Sequence, residues 1–269
     1  NSTRILFVSL WDFTENKYEV IVVDNCSTDN TLDIAKKYIQ NYSFLIKYVE
    51  ENIIKSSYAA RNKGVEIAKG EVIAFTDSDC IPAKDWLSQG YNFLIDNKAS
   101  MVAGKIEFIF KNSEPNIWES FDASGKLNQE SYVENSGFGA TANLFVRKSL
   151  FYKYGLFIAE LKSGGDYEFG RRLTKSGENL LYSKGTLVYH PARSTFKSKL
   201  RKSIRIAKGQ MILEKMNLLE HGNRTWKQLI PSMQFLLFRN NKIGFEKKIL
   251  LVLISNFFRY LNYFLRLIL

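Results

Sequence analysis

The sequence is short of cysteine: two thiols in 269 residues exclude a disulfide-built scaffold. Cys26 and Cys80 stand beside polar turns, in Asn25-Cys26-Ser27 and Asp79-Cys80-Ile81, and read as small filler thiols of a reducing compartment. There is no P-loop, no internal repeat and no low-complexity tract. No secretory signal opens the chain; Asn1-Ser2-Thr3-Arg4 runs straight into an apolar segment, as in a chain that starts inside a domain. Acid is in deficit, 27 Asp+Glu against 38 Lys+Arg, leaving a formal charge of +11. Such an excess calls for an anionic partner, either a phospholipid surface, a phosphorylated ligand or nucleic acid. The absence of any recognised nucleic-acid motif argues against the last. With 45% of residues hydrophobic, whole-chain disorder is excluded.

What is present alternates. Ile5 to Phe13 follows a Ser/Thr start signal and is expected to form a short buried helix. Tyr18 to Val23 (YEVIVV) is a β-branched run suited to a strand buried on both faces. It ends in a polar turn, Asp24 to Thr31, whose side chains can cap a helix over Leu32 to Asn41. Leu45 to Val49 reads as a strand, Tyr58 to Lys69 as a helix stopped by Gly70, and Val72 to Thr76 as a strand. Strands recur at Met101 to Phe110, at Ala142 to Arg147 and, as a pair, at Leu180 to His190. Lys111 to Ser136 reads as irregular, Ser149 to Tyr154 as a helix, and Gly164 to Lys175 as a loop entering a helix. This alternation predicts an α/β fold with a mainly parallel sheet flanked by helices, in which ligands bind beyond the carboxyl ends of the strands.

Both acidic turns fall at such ends. In Asp77-Ser78-Asp79 the two carboxylates are two residues apart and point the same way in extended chain. Two hard oxygen donors suit Mg²⁺ or Mn²⁺ bridging substrate phosphates; a triplet with no strand before it would be an ordinary solvated turn. Asp24, followed by Asn25, can accept from a base edge or a ribose hydroxyl, while Ser27, Thr28 or Asp29 cap the next helix. Arg61 can reach a diphosphate as a fixed cation, or form a surface ion pair. Asp166, in Ser163-Gly164-Gly165-Asp166-Tyr167-Glu168, suits a general base where glycine lets backbone approach a ligand, or a helix cap.

Together these stretches resemble the family-2 glycosyltransferases of the GT-A fold. Val20 to Thr31 is similar to the family's strand and Asp-rich nucleotide turn, Ser57 to Phe75 to its Ala-Arg-Asn-x-Gly helix, Asp77-Ser78-Asp79 to its metal triplet, and Gly165 to Leu173 to its acidic motif. The resemblance covers residues 1–192. It implies an inverting transferase that takes a sugar from a nucleotide-diphosphate donor to an acceptor hydroxyl on a glycan, lipid-linked or other acceptor. Asp24 and Asn25 would hold the nucleoside, Arg61 the diphosphate, Asp77 the ribose or metal, Asp79 the metal, and Asp166 the acceptor proton. His190 would be a further metal or diphosphate ligand, or a structural histidine donating to a carbonyl. The family's opening strand and its Pro-x-Tyr-Asn-like turn are expected to be missing, with Asn1 as a remnant. Gly165 stands where a Glu is common. The Gln-x-x-Arg-Trp motif of processive synthases is absent, which favours transfer of a single sugar.

Rival readings remain. Gly137-Phe138-Gly139-Ala140-Thr141-Ala142 fits the dinucleotide pattern in letters, but it follows polar chain and opens a strand; the resemblance implies instead that these small residues line the donor-sugar or acceptor pocket. A nucleotidyltransferase would share the nucleotide fold and the metal carboxylates, and a non-catalytic relative would bind donor without turning it over. After Pro191 the composition shifts: residues 193–208 carry Arg193, Lys197, Lys199, Arg201, Lys202, Arg205 and Lys208 and no acid. Residues 249–269 are nearly all apolar or aromatic. Residues 193–269 are thus expected to be a basic and apolar helical extension. It would meet an anionic membrane surface at the cytoplasmic face, pack as core helices, or span.

Overall fold

The computed structural model describes residues 3–12, 17–42, 45–124, 127–219, 230–233 and 244–268. Residues 1–107 and 127–190 form one compact unit; 108–126 and 191–269 form a second. Asn1 lies outside the described residues.

The first unit is built on an eight-stranded sheet, ordered β3-β2-β1-β4-β7-β6-β8-β5. The strands are β1 (Thr3–Asp12), β2 (Lys17–Asn25), β3 (Ile46–Glu50), β4 (Val72–Asp77), β5 (Ile81–Pro82), β6 (Met101–Ile109), β7 (Asn143–Arg147) and β8 (Leu180–Pro191). β2 and β3 pair in parallel, and β2 and β4 share one direction because each is antiparallel to the β1 between them. β7 runs against both β4 and β6. The expected common direction therefore holds for β2, β3, β4 and β6, while β1 and β7 make the sheet mixed. The segment expected as a helix from Ile5 is instead strand β1. A short apolar run carries no period that separates the two states, and here the backbone edges of β2 and β4 take it up as a hydrogen-bonded partner. Leu180 to His190 is one long strand, not a pair.

Helices α1 (Thr31–Tyr42), α2 (Ser57–Ile67), α3 (Trp86–Asp96), α5 (Gln129–Ser136), α6 (Ser149–Tyr154) and α7 (Gly165–Lys175) belong to this unit, with α4 (Ile117–Ser124) in the other. β4 is buried from Val72 to Thr76, as a strand covered on both faces must be. Its alternate residues Val72 and Ala74 join Trp86 and Leu94 of α3, with Phe145, in one core cluster. Phe75 turns the other way, edge-on to Phe151 and Phe157, which in turn meet Phe169 of α7. α3 approaches β7 closely because Gly90 has no side chain; a Cβ there would lie 2.2 Å from the Phe145 ring.

The second unit holds α4, α8 (Phe196–Lys215) and α9 (Phe245–Ile268). Its core is Phe121, Leu251, Ile254 and Phe258, with Trp118, Leu200 and Leu261 packed against it. Thr195 caps α8, its hydroxyl accepting from the Ser198 N–H at 3.2 Å. α9 packs with one face; Leu253, Phe257, Phe264 and Leu267 on the other are exposed.

Candidate active site

Asp77 ends β4 and Asp79 stands in the exposed turn beyond it. β5 follows at once and pairs antiparallel with β8, Ile81 opposite Tyr189. That pairing carries His190, at the end of β8, to the acidic turn. The ligand atoms of Asp77, Asp79, Cys80 and His190 all lie within 4.8 Å of one another. His190 is buried. Cys80 is held as a neutral thiol, its pKa pushed up to about 12 by burial and then by Asp77 and Asp79. Two carboxylates and an imidazole form a hard-to-borderline donor set that fits Mn²⁺ and, with waters, Mg²⁺; a protonated thiol adds little for such ions.

Arg61 reaches this group from α2. Its Nη2 donates to Asp77 Oδ1 at 3.0 Å, with the arginine side chain 6% exposed. Of the two readings of Arg61, a fixed cation for a diphosphate or a surface ion pair, the second does not describe this contact: it is a buried cation against a carboxylate of the triplet. Its helix is fixed at both ends of the motif. Ser56 accepts from the Tyr58 and Ala59 N–H groups at 3.1 Å each and donates to the Ala159 carbonyl. Asn62 donates to Phe157 O at 2.8 Å and accepts from Phe157 N at 3.0 Å. These bonds tie α2 to the segment leading into α7.

Asp166 lies in the first turn of α7, after Gly164 in the left-handed region at φ 84°. It does not cap its helix. Oδ2 accepts from the Thr141 N–H at 3.2 Å, and Oδ1 from the Thr141 hydroxyl at 3.0 Å. Thr141 is fixed in turn by Gln129, which clamps Ala140 N, Ala140 O and Asn143 O at 2.8–3.0 Å. The dinucleotide-like letters at Gly137 therefore form the left-handed cap of α5 and the lead into β7, with no strand-to-helix phosphate turn.

Tyr58 joins the two halves. Arg61 lies over its ring at 5.2 Å, and Gly165 sits against it so closely that a Cβ would meet the ring at 2.7 Å. Burial first, then the charge of Asp166, drives the Tyr58 hydroxyl well above the ordinary phenol range, although the Asp166 and Gly165 N–H groups bond it. Glycine at 165 thus makes room for an aromatic ring.

Asp24 ends β2, its carboxylate accepting from the Ser27 N–H at 3.0 Å and from the Ser27 hydroxyl. Asp24 and Asp77 are registered opposite adjacent residues of β1, Arg4 and Ile5, so they occupy one edge of the sheet, about 10 Å apart across two strand spacings. Asn25 is buried; its amide donates to Glu51 O at 2.8 Å and Ile54 O at 2.9 Å, closing the turn, while its Oδ1 has no partner among the described residues. The structure thus gathers Asp77, Asp79, His190 and Arg61, links them through Tyr58 to Asp166, and sets Asp24 and Asn25 two strands away. Tyr58 and Asn62 were not singled out from sequence, Cys80 was read only as a filler thiol, and Thr141 only as one of the small residues of Gly137 to Ala142. The available signals were adjacency to the triplet for Cys80 and the i, i+3 spacing of Tyr58 and Arg61 on one helix face.

Residues 3–155 match the family described as Glycosyl transferase family 2. The chain is 35% identical over 199 residues to the glycosyltransferase AglE of Haloferax volcanii, a match covering 74% of this chain and 64% of that protein. It therefore spans just under two thirds of that relative. Among solved structures it is similar to S. aureus TarS 1-349 in complex with UDP-GlcNAc, with a TM-score of 0.56 and 21% identity over 88% of this chain and 70% of that one. It is also similar to the mannosyltransferase PcManGT of Pyrobaculum calidifontis in complex with GDP-Man and Mn²⁺, with a TM-score of 0.55 and 15% identity over 92% and 62%. A family match over more than half the sequence, together with these folds, identifies the chain as a member of glycosyl transferase family 2 with the GT-A fold.

Proposed function

We propose that the protein transfers a single sugar from a nucleotide-diphosphate sugar to an acceptor hydroxyl, with inversion at the anomeric carbon and with Mn²⁺ or Mg²⁺ bound. The observation that carries this reading is the convergence of Asp77, Asp79 and His190 within 4.8 Å, beside the buried Arg61. The neighbours described with UDP-GlcNAc and with GDP-Man and Mn²⁺ support the donor class and the ion.

Asp77, Asp79 and His190 would hold a divalent cation, which would supply Lewis-acid stabilisation to the leaving diphosphate. Arg61 adds a fixed positive charge where negative charge develops. Asp24, with Asn25 behind it, binds the nucleoside at the same sheet edge. Asp166, oriented through both oxygens by Thr141, takes the proton of the acceptor hydroxyl as the acceptor oxygen bonds to the anomeric carbon. The bond from that carbon to the phosphate oxygen breaks on the opposite face, so the centre inverts.

Asp166→Asn should keep donor affinity, measured by calorimetry, and lose transfer by about 10²-fold or more. Near-normal turnover would remove Asp166 from the role. Screening nucleotide sugars for hydrolysis with Mn²⁺ identifies the base and sugar. Donor binding with neither hydrolysis nor transfer would favour a non-catalytic relative, and pyrophosphate release a nucleotidyltransferase.

The same reading seats the protein on an anionic membrane at its cytoplasmic face, with glycan, lipid-linked or other hydroxyl acceptors. Lys197, Arg201, Arg205 and Lys208 form an exposed basic stripe at helical spacing on α8. α9 is 24 residues long and apolar enough to cross a membrane by length and composition. Its Asn256, bonded to Ser232, and Arg266, paired with Glu214, fasten it to its own unit. Those contacts support a helix lying at the interface over one that spans.

A further inference from the structure

In the second unit three cations converge on one carboxylate. Asp122 of α4 is fully buried and accepts from Lys199 Nζ at 2.7 Å, from Lys202 Nζ at 3.3 Å, and from the Arg193 N–H and Nη1 at 3.0 and 3.3 Å. Lys199 also lies 4.6 Å over the Phe121 ring. Glu119, one turn earlier on α4, uses both its oxygens on the backbone N–H groups of Lys111 and Asn116. No other carboxylate among the described residues pairs with any of the three cations.

The cluster carries three positive charges against one negative. For burying Asp122 alone, one of those cations would suffice. Holding like charges this close in a half-buried place is unfavourable unless an anion completes it. The strain registers at Lys202. Burial, with Arg193 and Lys199 adding their repulsion against the pull of Asp122, lowers its pKa to about 8. The surplus can be reached, since the Arg193 and Lys202 side chains are 26% and 21% exposed. Its position adds to the field: Arg193 precedes α8 and Lys199 closes its first turn, at the end where the helix dipole is positive. Its border is greasy. Phe196, the first residue of α8, is 41% exposed and packs on Trp118 and on the exposed Phe257 of α9, with ring centroids 5.4 and 6.1 Å away.

We propose that Arg193, Lys199 and Lys202, gathered on Asp122, form a binding site for the phosphate of an amphiphile, a phosphate ester carried on an apolar chain whose first carbons lie against Phe196 and Phe257. An anionic phospholipid and a lipid-linked acceptor share this chemistry. The site rests on the membrane reading above only for its lipid surface, and not on Asp166 or the metal-binding group.

The test compares the full chain with Lys202→Gln and Lys215→Gln, in chelator and without nucleotide sugar. The probes are inorganic pyrophosphate, neutral vesicles doped with phosphatidic acid, and neutral vesicles doped with a polyprenyl phosphate. Lys215 is exposed in the last turn of the same helix, outside both the cluster and the basic stripe, and reports general attraction. Lys202→Gln should weaken pyrophosphate binding about fivefold, the usual effect of one cation at a charged lipid surface. Lys215→Gln should leave it unchanged. Lys202→Gln should melt no lower than the parent, because Asp122 keeps Arg193 and Lys199; a merely structural ion pair would instead lower the melting temperature and leave binding alone. The better of the two doped vesicles names the source of the phosphate. Equal pyrophosphate binding by parent and Lys202→Gln, or equal losses in both variants, overturns the proposal. Pyrophosphate binding that passes this test with no vesicle binding would overturn the membrane reading and leave the phosphate site standing.

Discussion

The two units carry opposite charge imbalances. In the first, Asp77 and Asp79 converge with His190, and Arg61 is the cation paired to the group. In the second, Arg193, Lys199 and Lys202 converge on Asp122. Each arrangement holds like charges close together, and on the proposed reading each would be relieved by a ligand of the missing sign. One site calls for a divalent cation with its diphosphate, the other for a phosphate. What distinguishes them in sequence is locality: two acids in three residues are conspicuous, whereas one acid and three bases drawn from residues 122–202 are not.

The comparison can be broken at either end. The largest effect is expected at Asp79. Asp79→Ala should lower transfer by about 10³-fold, the several kcal/mol by which a metal stabilises a leaving diphosphate, as read from steady-state rates with Mn²⁺. Because Asp79 is exposed, that variant should fold normally. The smallest effect belongs to Lys202. Its folded pKa of about 8 lies below the unfolded value of 10.5, so between these values the unfolded chain binds more protons and stability rises with pH. Chemical denaturation of parent and Lys202→Gln, at about pH 8 and about pH 10, should show that rise in the parent and lose this component in the variant. The same pH response in both would remove the crowding of cations.

The signals that could be read early were short in range. β2 and β4 announce themselves by continuous β-branched and aromatic runs, and the acids that follow them inherit positions at the sheet edge. Arg61 and Asp166 were legible as chemistry, but their partners were not. Tyr58 reads as an ordinary helix residue until Gly165, more than a hundred residues later, packs on its ring. Thr141 reads as part of a false dinucleotide pattern until Gln129 fixes it beside Asp166. α4 and α5 fall in Lys111 to Ser136, which reads as irregular because it is polar and carries a Pro; Asp122 of α4 is instead buried, satisfied by cations more than seventy residues later in the chain. β1 shows the converse, an apolar run whose state was decided by the strands that needed a partner.

The most direct measurement is of the metal itself. Titration of Mn²⁺ into the full chain with nucleoside diphosphate, followed by electron paramagnetic resonance, should give a bound ion in the parent and none at the same concentrations in Asp79→Ala. Mn²⁺ held equally by both proteins would contradict a metal centre built from Asp77, Asp79 and His190.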